Sequence, residues 1–207
     1  MTGPSAPAVR EVGGARREVG GARDRILATA YRLFSRRGVR DVGVNEIVSA
    51  SGVAKATLYQ HFRTKNDLVL AFLEQREAEW TFALVEEESR VRGGTPEEQL
   101  LAIFDVFDDL FGDADRFDGC SFISILLELG PDSAAGQACI AHLATIRSIV
   151  SGRAERAGLT DPEGFARSWH ILMKGSIIAA VEGDTAAARR AQRMAQLLIE
   201  DHRGEPD

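Results

Sequence analysis

The stretch VNEIVSASGVAKATLYQHF at 44–62 gathers Lys55, Ala56, Thr57, Tyr59, Gln60 and His61 within seven residues. Most of these side chains donate or accept hydrogen bonds of the kind that meet phosphates and base edges. Leu58 and Phe62, four apart, anchor the segment inward and leave Lys55, Thr57, Gln60 and His61 facing outward. For Tyr59 the competing reading is a core residue tipped with a hydroxyl. His61 reads as a phosphate contact or a surface residue rather than a catalyst. A short helix, a turn around Gly52 and a second short helix make helix-turn-helix geometry, and Gly52 supplies the positive φ of the turn. Such a second helix fits the major groove of a duplex.

The charge pattern agrees. The 207 residues carry a net charge of −6, but residues 1–65 hold 12 Lys/Arg against 5 Asp/Glu. Residues 66–207 hold 13 against 26. A basic head on an acidic body suits a polyanionic partner for the head alone. No apolar run reaches the ~18 residues of a membrane span, and no signal peptide is read. Cys120 and Cys139 make no disulfide framework, so a cytoplasmic protein is expected, on the nucleoid when DNA-bound.

Helical periodicity organises the rest. Ile26, Leu27, Ala30, Leu33 and Phe34 form one face of a helix from Ala22 to near Gly38. Val44, Ile47 and Val48 give a second helix, and a third starts near Ala54. Thr64 opens a fourth with Asp67 completing a capping box, and this helix runs to about Ser89. Thr95-Pro96 starts a helix over about 96–111. Residues 120–129 make a short apolar helix, 132–157 a long one, and two more are expected over about 163–182 and 184–202. No segment alternates long enough for a strand. The fold class expected is all-α, with about nine helices: a three-helix DNA-binding unit and a C-terminal helical ligand-binding and dimerisation unit. The divisions expected are a disordered basic arm at 1–21, carrying REVGGAR at 10–16 and 17–23, then 22–67 and 68–207.

Three stretches in order, ILATAYRLFSRRGV at 26–39, VNEIVSASGVAKATLYQHF and TKNDLVLAF at 64–72, resemble the DNA-binding domain of the tetracycline-repressor (TetR) family. The resemblance implies base-facing positions at Lys55 and Ala56, a DNA contact at Tyr59 and phosphate contacts at Thr57 and Lys65. Lys65 lies in the first turn of a helix, where free N–H groups and the dipole favour a phosphate. Two departures stand out: Val42-Gly43 precedes the second helix where the family has Ser or Thr, and Ala54 replaces the usual Ser cap. An Ala cap costs about 1 kcal/mol relative to Ser.

For the C-terminal part the resemblance implies a ligand pocket and a dimer face. Candidates for the pocket are Trp80, Phe104, Phe107, Phe111 and Phe122, together with Leu126, His142, Trp169 and Met173; each taken singly also reads as core. A small apolar or aromatic effector is expected. Candidates for the dimer face are Trp169, Met173, Gly175 and Ser176, then Ala179, Ala180, Met194 and Leu198. The partners implied are an operator duplex, a second copy of the chain and that effector, with no membrane, cofactor, metal or catalytic residue. Ligand entry would move the fourth helix and change the separation of the recognition helices.

Two rival readings stand beside this one. Asp105, Asp108 and Asp109, or Cys139 with His142, could begin a metal site in an enzyme, but a solvated acidic face and a missing second ligand pair speak against it. A helical interaction module without DNA binding is the other.

Overall fold

The computed structural model describes residues 20–113, 117 and 119–204. Residues 1–19, most of the expected basic arm, lie outside them. The described residues form nine continuous helices and no named strand. α1 (Ala22–Arg37), α2 (Val44–Ser51) and α3 (Lys55–His61) come first. α4 runs without interruption over residues 65–92. α5 (Pro96–Phe111), α6 (Ser121–Leu129), α7 (Ala134–Arg156), α8 (Pro162–Val181) and α9 (Ala187–Asp201) follow.

The caps expected from the sequence are made. Thr64 accepts the Asp67 N–H at 3.1 Å while the Asp67 carboxylate accepts the Thr64 N–H at 2.9 Å. Thr95 and Glu98 form the same reciprocal pair ahead of Pro96. Gly43 and Ala54, the two departures, provide no side-chain bond to the helices they precede. Gly52 takes φ +66°, the left-handed conformation that turns the chain between α2 and α3.

α4 differs from expectation in one respect. Its middle, Glu77–Glu88, is wound as a π-helix, before α-helical turns resume at Ser89–Arg92. Such winding is rare and recurs at functional sites. Nothing in the apolar spacing of 77–88 announces it.

The core is continuous from α1 to α9. Phe72 of α4 meets Tyr31 and Phe34 of α1 edge-on, at 5.1 and 5.7 Å between ring centres. Further along α4, Trp80 packs on Phe107 of α5 at 5.6 Å. Phe104 then reaches Trp169 of α8 at 5.3 Å. α8 and α9 lie against each other, and α9 also packs on α5. At the far end, Thr160 N donates to the His202 carbonyl at 2.7 Å and Arg203 pairs with Glu97, fastening the last described residues to the bundle.

Arg153 of α7 is buried and makes no ion pair with a described carboxylate. Its guanidinium donates to Ser89 Oγ (2.6 Å) and to the carbonyls of Gln99 (2.9 Å) and Glu86 (2.7 Å). One side chain thereby ties α7 to the end of α4 and the start of α5.

Candidate nucleic-acid interface and junction pocket

α3 has only seven residues, so its position is set by what it buries. Leu58 and Phe62 are almost fully enclosed, at 1% and 3% exposure. Arg23 of α1 lies over the Phe62 ring, 5.4 Å from its centre. The opposite face carries Lys55, Ala56, Tyr59, Gln60 and His61, all exposed, with Thr57 half-buried. Tyr59 is 42% exposed and so is not the core residue of the competing reading. These side chains form one outward patch.

Lys65 sits at the first turn of α4 and is half-buried. Its Nζ donates to the Val39 carbonyl at 2.5 Å, which draws the ammonium towards the loop between α1 and α2. An ammonium has three donors, so this bond leaves two for a phosphate.

Of the candidate pocket residues, Phe104, Phe107, Phe111, Phe122, Trp169 and Met173 are enclosed in the core. Leu126 is partly buried against it. His142 Nδ1 lies 2.8 Å from Glu77 Oε1, and its ring packs on Phe122. Trp80 is enclosed as well, but it also borders a cleft of about 510 Å³ between α1, the π-helical part of α4 and the end of α5. The α1 wall includes Tyr31, Arg32 and Arg36, while Arg76 and Glu79 come from α4. Sequence periodicity marks the arginines only as solvated positions, so it could not find this cleft.

Of the candidate dimer residues, Trp169, Met173 and Ser176 point into the protomer core, while Gly175 and Met194 are exposed. Ala179, Ala180 and Leu198 are half-buried. Around them stand large apolar side chains that the sequence reading passed over: Ile171, Ile178 and Val181 on α8 and Leu197 on α9, all exposed. Spacings of seven and three residues put Ile171, Ile178 and Val181 on one stripe of α8.

The acidic residues of the enzyme rival have structural partners. Asp105 accepts from Gln192, Asp108 pairs with Arg189 and Asp109 with Arg92. Burial pushes the Cys139 thiol up to about 12. Among the described residues no group of three or more His, Cys, Asp or Glu could hold a metal ion. No described helix is long and apolar enough to cross a membrane.

Residues 26–72 match the family model of bacterial regulatory proteins of the tetR family. Over its whole architecture the chain is similar to a TetR-family transcriptional regulator of Streptomyces coelicolor, with TM-score 0.80, 27% identity and coverage of 87% of this chain and 95% of that one. The chain is thus similar to TetR-family transcriptional regulators, in sequence over residues 26–72 and in fold over most of its length. Its fold also matches Escherichia coli NemR in the reduced form, with TM-score 0.74 at 22% identity, covering 86% and 97% of the two chains. Among curated relatives, it is similar to the regulator QacR of Staphylococcus aureus, 40% identical over 57 residues, which are 28% of this chain and 30% of that protein. It is also similar to the transcriptional activator FasR of Mycolicibacterium smegmatis, 36% identical over 73 residues, or 35% and 33% of the two chains. The matched segments span about a third or less of these two relatives' length.

Proposed function

We propose that this protein binds an operator duplex as a homodimer, with α3 in the major groove, and represses transcription until an effector releases it. The observation that carries the reading is the division of α3. Leu58 and Phe62 are spent on the core, and the remaining side chains are left in solvent. Lys55 and Ala56 take the base-facing positions, Lys55 towards guanine O6/N7. Thr57, Tyr59, Gln60, His61 and Lys65 hold the backbone. With Ala54 and Ala56 offering no polar atoms, DNA shape carries part of the specificity.

In this reading residues 22–67 form the DNA-binding unit and 68–207 the effector and dimerisation unit. Two copies meet through α8 and α9, where the exposed Ile171, Ile178, Val181, Met194 and Leu197 supply apolar area around Gly175. The two α3 helices then address successive major grooves ~34 Å apart, so the operator is a near-palindrome. α4 is one continuous helix from its Thr64 cap to Arg92, which suits it to carry a change between the units. Release requires that the effector bind the non-DNA conformation more tightly. Repression rather than activation rests on the behaviour usual in the family.

Selection of bound duplexes from a random pool by the full chain tests this. Enrichment of a two-fold related motif with half-sites about one helical turn apart supports the proposal. Recovery of no motif, with no salt-dependent affinity for any duplex, contradicts it and favours a helical interaction module.

A further inference from the structure

The cleft between α1, α4 and α5 is of the size of small-molecule sites, and it lies between α1 of the proposed DNA-binding unit and α4 and α5 of the proposed effector unit. Its electrostatics are unusual for a chain of net charge −6. Three guanidiniums, from Arg32, Arg36 and Arg76, line it against one carboxylate, Glu79.

Glu79 interacts with the Tyr31 hydroxyl, while Arg76 makes no direct ion pair with a described carboxylate. Its Nη1 donates to Tyr31 Oη at 2.8 Å, and Nη2 points at the Gly119 carbonyl at 3.5 Å. The guanidinium stands 5.0 Å from the centre of the Trp80 ring. Arg32 and Arg36 are exposed, and neither makes an ion pair or side-chain hydrogen bond with another described residue. Ser35 on the same wall has a buried Oγ without a hydrogen-bond partner. Opposite these groups Trp80, Leu84 and Leu110 give an apolar surface.

We propose that this junction cleft binds a planar organic anion: an aromatic or similarly flat apolar body against Trp80 and Leu110, with a carboxylate or sulfonate received by Arg32 and Arg36. Guanidinium forks bind such groups bidentately, and a partly enclosed cleft with low-dielectric walls strengthens the attraction. The walls belong to different units, α1 to the helix-turn-helix side and α5 to the other. An occupant therefore bears on their relative placement. Only that regulatory consequence rests on the operator-binding reading, because the binding itself needs no DNA.

The probe is 8-anilinonaphthalene-1-sulfonate, titrated into the full chain without DNA, with the uncharged N-phenyl-1-naphthylamine as its comparison. Two alterations separate charge from shape: the double variant Arg32→Gln/Arg36→Gln, both exposed, and Ala83→Trp, which fills the cleft. Circular dichroism checks that each folds. The proposal expects saturable binding of the sulfonate, weakened about tenfold by the double variant and lost in Ala83→Trp. The neutral probe should be unaffected by the double variant. Sulfonate affinity that ignores the arginines overturns the assignment, as does affinity that survives Ala83→Trp or the absence of saturable binding.

Discussion

The Glu128 carboxylate, at the end of α6, accepts the backbone N–H of Val39 at 2.9 Å, across 89 positions of sequence. The same carboxylate accepts the Arg40 N–H. From the other side Lys65 donates to the Val39 carbonyl. The loop after α1 is therefore held by a carboxylate from beyond α4 and by an ammonium from the start of α4. Gly38 makes this approach feasible: its φ is +79°, and a Cβ there would lie 3.0 Å from Glu128 Oε2.

Replacing Glu128 by Ala removes two charge-assisted bonds and leaves the N–H groups of the buried Val39 and the exposed Arg40 without that acceptor. The expected cost is about 1.5–3 kcal/mol, seen as a fall of several degrees in Tm. Amide exchange at Val39 and Arg40 should rise more than at Ile47 in α2. Unchanged protection at those two amides would show that the contact does not hold the loop.

Arg153→Met leaves Ser89 Oγ and the Glu86 and Gln99 carbonyls without their buried donor. A loss of about 3 kcal/mol is expected in urea unfolding. A variant as stable as the wild type would mean that the apolar replacement compensates fully, as it does for some buried charges.

His170 provides an acid-side signature. Burial, with Lys174 and Arg147 adding like charge, lowers its pKa to about 3 from the ordinary 6.5. Below pH 6.5 the unfolded chain takes up a proton that the folded chain refuses, so stability falls as pH drops from 6.5 towards 3. Above 6.5 both states are neutral at this residue and its contribution is flat. His170→Gln should therefore flatten the acid limb of a stability profile between pH 4 and 6.5. An unchanged slope would place the proton uptake elsewhere.

Ile178→Glu puts a charge in the middle of the exposed apolar stripe of α8 without touching the protomer core. Light scattering should find the wild type dimeric and the variant monomeric, with unchanged helicity. A variant that remains a dimer moves the interface away from this face.

Much of this architecture is legible in the residues, for reasons that differ by element. Thr64 with Asp67, and Thr95 with Pro96, announce their helices because capping is local chemistry. Leu58 and Phe62 reveal the orientation of α3 because a seven-residue helix has few ways to be anchored. The π-winding of 77–88 is not legible, since it depends on packing between helices distant in sequence. Nor is the junction cleft, because Arg32 and Arg76 look like ordinary solvated positions until α1 and α4 are side by side. On α8 the small residues Gly175, Ala179 and Ala180 drew attention by type, yet the exposed bulk is at Ile171, Ile178 and Val181. A helix buried on one side and bare on the other shows the same heptad-like spacing on both, so the pattern alone does not tell the two stripes apart.

The most direct test of the central claim is the affinity of the full chain for its selected duplex, measured across salt concentrations for the wild type, Lys55→Ala and Tyr59→Ala. The account predicts a steep salt dependence for the wild type. Each variant should bind at least about tenfold more weakly while keeping its fold, and Lys55→Ala should also relax the base preference at one position of each half-site. Equal affinity of all three proteins for the duplex would contradict it.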